Sequence, residues 1–293
     1  MVLQPRLAGA GHGWAGCSPQ GLPAAAVEGM MPAAGRACTV VMQADFLLVD
    51  VGNSSTKLAL ASADEAAGQG AGLLQRRDLP TAGTTPQTIA QALTGWSFGR
   101  VVLSSVVPAA TAAWKQAQPG LLELRHDSLL GIGIDYPQPQ SIGPDRLANA
   151  VALAHLYGAP GIGIDFGTAV TFDILSAQRS YLGGVIAPGL RLMTDYLHER
   201  TALLPKVELA EPISAIGRST VGAIQAGAAL GYRGMVQGIL AALRAELGGG
   251  QIRVVATGGD ASWIVGGMPE LGIVVDEDLT LKGLRLVGLL AQG

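Results

Sequence analysis

Residues 47–60 read LLVDVGNSSTKLAL, and residues 162–175 read IGIDFGTAVTFDIL. Each stretch has an apolar run, an aspartate, one further residue, a glycine, a small polar residue and a second β-rich run. Glycine followed by a small polar residue is a turn signal, so each stretch is predicted as a β-hairpin with an aspartate near the end of its first strand. Two such hairpins over a hundred residues apart point to a duplicated domain, not to a solenoid repeat.

Working outward from the first hairpin, strands are predicted over 46–51 and 56–61, with a third over 73–79. Helical periodicity covers 88–93, 109–118 and 145–157, and the apolar run 100–107, closed by Pro108, reads as a buried strand. The second half repeats the order with strands at 161–166, 169–175 and 181–186. A long helical region at 214–247, a strand at 252–256 and a helix at 281–290 complete it. The expected architecture is α/β, in two related domains, 45–157 and 158–293. Residues 1–44 are rich in Gly, Ala and Pro and lack periodicity, so they are expected to be a disordered or mis-started extension, with a natural start at or near Met42.

Nearly half of the 293 residues are apolar and only 14% are charged, which suits a packed domain with 42 glycines for its turns. A net charge of −3, with no basic run, gives no electrostatic reason to bind nucleic acid or an anionic membrane. The longest apolar stretch, 147–164, is interrupted by Asn149, His155 and Pro160, so no bilayer span is expected. Cys17 and Cys38 both precede the first strand, so the folded part needs no disulfide, and the start lacks a secretory pattern; a cytoplasmic setting follows. Gly11-His12-Gly13-Trp14-Ala15-Gly16 matches a dinucleotide fingerprint in letters only, because it follows no strand. His12, His126, His155 and His198 have no metal-ligand spacing.

The chemistry lies in the turns. In 50–57, DVGNSSTK, the Gly52 turn lets backbone N–H groups approach an anion; Ser54, Ser55 and Thr56 add hydroxyls, and Lys57 adds a cation. Asp50 cannot bind phosphate but can hold Mg²⁺ through water. In 165–173, DFGTAVTFD, Asp165, Gly167 and Thr168 repeat this chemistry. Either turn alone is equally an ordinary hairpin; two facing each other would clamp a nucleoside triphosphate. In 143–146, GPDR, Asp145 and Arg146 open a helix. An aspartate there is most simply a cap, yet a kinase needs a carboxylate for the acceptor hydroxyl and a cation for an acidic substrate. Residues 217–227, GRSTVGAIQAG, read as close helix packing. The Gly pair in 256–260, ATGGD, is a turn that could admit adenine or ribose.

Taken in order, DVGNSSTK, GPDR, DFGTAVTFD, GGVIAPG, GRSTVGAIQAG and ATGGD resemble the type III pantothenate kinases of the actin-like superfamily, from about residue 45 to the C-terminus. The resemblance implies two ribonuclease-H-like domains with a cleft between them. It also implies transfer of the ATP γ-phosphoryl group to the 4′-hydroxyl of pantothenate, the first step of coenzyme A synthesis. By motif position, Asp50, Gly52, Asn53, Ser54, Ser55, Lys57, Gly167 and Thr168 meet ATP, with Asp50 and Asp165 toward Mg²⁺. Asp145 matches the general base. Tyr136, Gly143, Pro144 and Arg146 match the pantothenate site, Arg146 toward the carboxylate. Asp173 matches the ligand of a monovalent cation, K⁺ or NH₄⁺, and Thr220 a residue that reaches the partner subunit's substrate site in an obligate homodimer. Where many relatives carry Gly-Asn-Thr this chain has Gly52-Asn53-Ser54, which keeps the hydroxyl. Another small-metabolite kinase, or a non-catalytic accessory binding protein of the same fold, is the alternative.

Overall fold

The structure, a computed structural model, describes residues 42–64 and 72–293. Most of the expected N-terminal extension lies outside the described residues. Residues 42–44 do not belong to it: they open the first strand, where Gln43 and Ala44 pair with Ser97 and Phe98.

The first sheet is built from β1 (Met42–Val51), β2 (Ser55–Ala61), β3 (Leu73–Pro80), β4 (Trp96–Ser105) and β5 (Leu122–Glu123), in the order β3-β2-β1-β4-β5. The second holds β6 (Gly133–Ile134), β7 (Gly161–Phe166), β8 (Ala169–Leu175), β9 (Ser180–Pro188), β10 (Arg253–Thr257) and β11 (Val274–Val275). Its order is β11-β10-β7-β8-β9-β6, so apart from the edge strand β6 it repeats the first sheet. In each sheet the two hairpin arms and the third strand are antiparallel, and the strand on the other side of the first arm is parallel to it. The duplication read from the two turns is therefore also a duplication of topology.

Side chains alternate across a strand, and both faces of β1 are buried. Leu47, Val49 and Val51 pack with Leu103 and with Ala110 and Trp114 of α2 (Pro108–Ala117), near Ile89 of α1 (Pro86–Ala92). Phe46 and Leu48 face the opposite way, toward Leu147 and Val151 of α3 (Pro144–Ala152) and Leu284 and Val287 of α8 (Leu279–Leu290). The same helix layer receives Leu175, Tyr181 and Val255 of the second sheet. Ile162, Ile164 and Phe166 of β7 turn the other way, onto Val236 and Leu240 of α6 (Tyr232–Glu246) and Ile264 of α7 (Ala261–Gly266). Asp50 continues the Phe46 and Leu48 face, and Asp165 continues the Gly161 and Gly163 face. Period-two alternation thus aims both aspartates at the shared layer that begins with Asp145.

The helix predicted over 145–157 is α3 plus a π-helical turn at Leu153–Tyr157. Two expectations are corrected. Residues 190–200 form a helix that periodicity did not suggest, α4 (Leu190–Arg200). The helical region predicted from 214 begins only at Thr220 with α5 (Thr220–Ala226), where the Ser219 side chain accepts from Gly222 N–H and caps the first turn. Among the described residues no helix is long and apolar enough to cross a membrane.

Candidate active site

Both hairpin turns open onto one cavity of about 720 Å³. Gly52, Asn53, Ser54 and Ser55 line it from the first turn, and Gly167, Thr168 and Ala169 from the second. The turns touch: Ser54 Oγ lies 3.1 Å from Thr168 Oγ1. Asp50, Lys57, Asp145 and Asp165 line the same cavity, as do Gly258, Gly259 and Asp260 beyond β10. The volume suits a nucleotide-sized ligand.

Asp50, Asp145, Asp165 and Lys57 act on one another electrostatically. Burial, then the charge of Asp145, raises the Asp50 carboxyl from its ordinary 3.8 to about 7, against the pull of Lys57. The Ser104 hydroxyl donates to Asp50 Oδ1 at 3.1 Å and holds it in place. Burial also raises Asp145 and Asp165, with Lys57 opposing the rise at Asp165. Such a set favours an added cation. Among the described residues no three acidic, His or Cys side chains form a direct ligand cage. Asp50 and Asp165 are ligands of the kind Mg²⁺ takes, since it keeps most of its waters and uses one or two carboxylates beside substrate phosphates.

Asp145 sits in the first turn of α3, whose N-cap is Gly143 and whose first residue is Pro144. Its Oδ1 accepts from Arg146 N–H at 2.9 Å. A Cβ on Gly143 would lie 2.5 Å from that oxygen, so the bare backbone there makes room for the carboxylate. Tyr136, Gly143, Pro144 and Arg146 do not line the main cavity; Arg146 and Tyr136 belong to a second cluster, around Asp173 and Tyr181. There Arg146 Nε donates to Asp173 Oδ1 at 2.6 Å, the Tyr181 hydroxyl donates to the same oxygen at 3.2 Å, and the guanidinium lies 5.8 Å from the Tyr181 ring. Tyr136 packs edge-on against Tyr181 with centroids 6.1 Å apart.

Asp173, which was expected to hold a monovalent cation, sits in this second cluster. Its carboxylate is fully buried, lies off the cavity and pairs with Arg146 through Oδ1, while Oδ2 has no partner among the described residues; burial outweighs Arg146 and raises the carboxyl from 3.8 to about 7. Thr220 is exposed at the start of α5 and does not line the cavity of its own chain.

The sequence reading missed the contribution of α4. Arg191 and Asp195 line the cavity, and Arg191 Nε lies 3.5 Å from Asp260 Oδ1. The available signal was Gly189 directly before a run with basic residues in its last turn, His198 and Arg200. It also missed Asn149, buried on α3 one turn after Asp145. The Asn149 side chain opposes the upward shift of the Asp165 carboxyl, and its Oδ1 accepts from Thr280 at 2.8 Å.

The profile of the type III pantothenate kinase family matches residues 46–242. A type III pantothenate kinase of Akkermansia muciniphila is 47% identical over 245 residues, 82% of this chain and 97% of its own length. One from Methylacidiphilum infernorum is 45% identical over 244 residues, 83% of this chain and 87% of its own. Among solved structures, a Baf family protein of Campylobacter jejuni, described as a transcriptional activator, is similar with a TM-score of 0.51 at 21% identity. That match covers 82% of this chain and 96% of the other. At that identity the likeness speaks for the fold alone.

Proposed function

The chain belongs to the type III pantothenate kinases, and from that premise we propose how its residues move a phosphoryl group from ATP to pantothenate. The observation that carries the reading is the meeting of two aspartate-ended turns over a cavity whose wall also holds Asp145. The fold is α/β, and the protein is an ATP-dependent transferase of coenzyme A biosynthesis. Its two lobes are proposed to divide near residue 157, the first beginning with β1 at Met42.

The backbone of Gly52, Asn53, Ser54, Ser55, Gly167 and Thr168 cradles the phosphates, and Lys57 offsets their charge. Asp50 and Asp165 would hold Mg²⁺ through water, and the metal supplies charge neutralisation beside the transferring group. Asp145 orients the 4′-hydroxyl and accepts its proton. Because the proton leaves late in a loose transition state, a moderate base suffices. Arg146 meets the pantothenate carboxylate, with Tyr136, Gly143 and Pro144 around it. A monovalent cation, K⁺ or NH₄⁺, is implied by the family resemblance alone, and no step is derived through it.

A homodimer with a shared site is part of the proposal. Leu192, Met193, Tyr196 and Leu197 of α4 expose large apolar side chains, and so do Leu203, Ile213 and Ile216 in the segment that follows. Apolar surface of this extent favours burial against another surface. A second copy would bring Thr220 of the partner subunit toward the substrate. The proposed setting is the cytoplasm, and neither nucleic acid nor membrane enters the reaction.

The test is ADP release by purified protein with Mg-ATP and pantothenate, with potassium and then with sodium in its place. Pantothenate-dependent release is expected. Asp145→Ala should lose about 10²–10⁴-fold in kcat, the usual worth of a positioned acid–base group, with an unchanged melting temperature. A folded, dimeric protein without turnover under either cation would make it a binding protein.

A further inference from the structure

Thr81 lies just beyond β3, outside both hairpin arms, and is buried. Its side chain nevertheless reaches the first turn: Thr81 Oγ1 donates to the Gly52 carbonyl at 2.7 Å. Its own N–H donates to the Ser54 carbonyl at 3.2 Å. A third contact, 2.9 Å, joins Thr81 Oγ1 to Thr56 Oγ1. A hydroxyl carries one proton and a carbonyl can only accept, so the Thr81 proton goes to Gly52 and Thr56 must be the donor to Thr81. The result is a directed chain from Thr56 to Thr81 to the Gly52 carbonyl.

In a planar trans peptide the C=O and the following N–H point in opposite directions. Holding the Gly52 carbonyl toward Thr81 therefore turns the Asn53 N–H away from Thr81. No carbonyl or side chain among the described residues accepts that N–H. Asn53 lines the cavity. A free, fixed N–H in a turn that opens on an anion-sized space is a phosphate donor whose direction is set in advance.

We propose that Thr81 is the positioning residue of the first phosphate turn: its hydroxyl pins the Gly52 peptide so that the Asn53 N–H faces the nucleotide phosphates. This rests on the reading that the first turn binds ATP. Thr81 itself touches no substrate. The side chain acts only through the peptide it holds, so its loss should appear in nucleotide terms and not in pantothenate terms.

Thr81→Val keeps the shape and removes the donor. Titration with a non-hydrolysable ATP analogue in the presence of Mg²⁺ should show roughly tenfold weaker binding, as expected when one hydrogen bond to a charged group is misaligned. The KM for ATP should rise while that for pantothenate stays put. Thr81→Ser restores the hydroxyl and should return nucleotide affinity to about the wild-type level. Thr56→Val, which leaves the pinning bond in place, should cost much less. Wild-type nucleotide affinity in a folded Thr81→Val protein would overturn the proposal, as would failure of the serine variant to rescue it. If the valine variant does not fold, the amide resonance of Asn53 in the wild-type protein decides. It should shift strongly when the analogue is added; an unmoved Asn53 amide beside shifting Gly167 and Thr168 amides would refute the role of Thr81. Wild-type protein that binds no analogue at all would instead sink the nucleotide reading of the turn.

Discussion

The two hairpins share a plan and differ at four places, and the differences divide the work. Asp50 and Asp165 end equivalent strands, and Gly52 and Gly167 open equivalent turns. The first turn has four residues between the last paired positions, Val51 and Thr56, and the second has three between Phe166 and Val170. Opposite Asp50 stands Lys57, whereas Thr171 stands opposite Asp165. Opposite Leu48 stands Ala59, buried in the core; opposite Gly163, in the matching place, stands Asp173, which holds Arg146. After Pro80 comes Thr81, and after Pro188 comes Gly189; each donates its N–H to its turn, to Ser54 and Thr168 respectively. The aspartate and turn glycine occur in both halves, while Lys57 belongs to the first alone and the carboxylate that holds Arg146 to the second alone.

The division breaks most visibly at Asp173. Removing one partner of a buried ion pair costs about 3–5 kcal/mol, because the other charge is left without compensation. Arg146 would then lose the carboxylate that fixes its direction. Asp173→Asn should raise the pantothenate KM by about one to two orders of magnitude, only part of that cost at about 1.4 kcal/mol per tenfold, while the KM for ATP changes little. The ratio of activity in potassium to activity in sodium should not move. A collapse of that ratio with pantothenate binding intact would make Asp173 a cation ligand after all, and the second hairpin would then serve the phosphates as the first does.

A smaller effect tests the turn supports. A Cβ on Gly189 would lie 2.3 Å from the Thr168 carbonyl oxygen and 2.4 Å from that of Gly167, both backbone atoms that cannot step aside without moving the turn. Gly189→Ala should therefore destabilise the fold by about 1–3 kcal/mol in urea unfolding, the usual cost of overpacking. It should also weaken nucleotide binding. Gly189→Ala at wild-type stability would mean that the second turn has room for a side-chain pin like Thr81, and that the asymmetry is not steric.

How far all this could be read from the sequence follows the range of each interaction. The strands of both hairpins are set by local alternation, and 161–166 and 169–175 agree with β7 and β8 residue for residue. Asp50, Asp165, both turns and Asp145 line one cavity. What the sequence hid depends on register between distant segments. Thr81 matters because β3 pairs Pro80 with Ser55, and that pairing has no local signature. Asp173 sits in a motif beside the phosphate turn, yet its side chain points to the layer of α3, where Arg146 claims it. Helix α4 escaped because Leu192, Met193, Tyr196 and Leu197 point outward, so its apolar residues do not make a single buried stripe.

The last comparison concerns the aspartates that the two hairpins share. Burial raises Asp50 from 3.8 to about 7 and raises Asp165 as well. In the unfolded chain both ionise at ordinary carboxylate values. Between about pH 4 and about pH 7 the ligand-free fold therefore keeps protons that the unfolded chain has released, and stability falls as pH rises across that window. Above it both states are ionised and the curve levels off. Asp50→Asn removes one such group and should flatten the decline; Asp165→Asn should flatten it too. Mg²⁺ with an ATP analogue should act in the same direction on the wild type, because a bound cation stabilises the ionised carboxylates. Urea unfolding of the ligand-free protein at several pH values checks this. A decline that Asp165→Asn flattens and Asp50→Asn leaves untouched would mean that Lys57 already neutralises Asp50. The two hairpins would then differ at the aspartate they otherwise share.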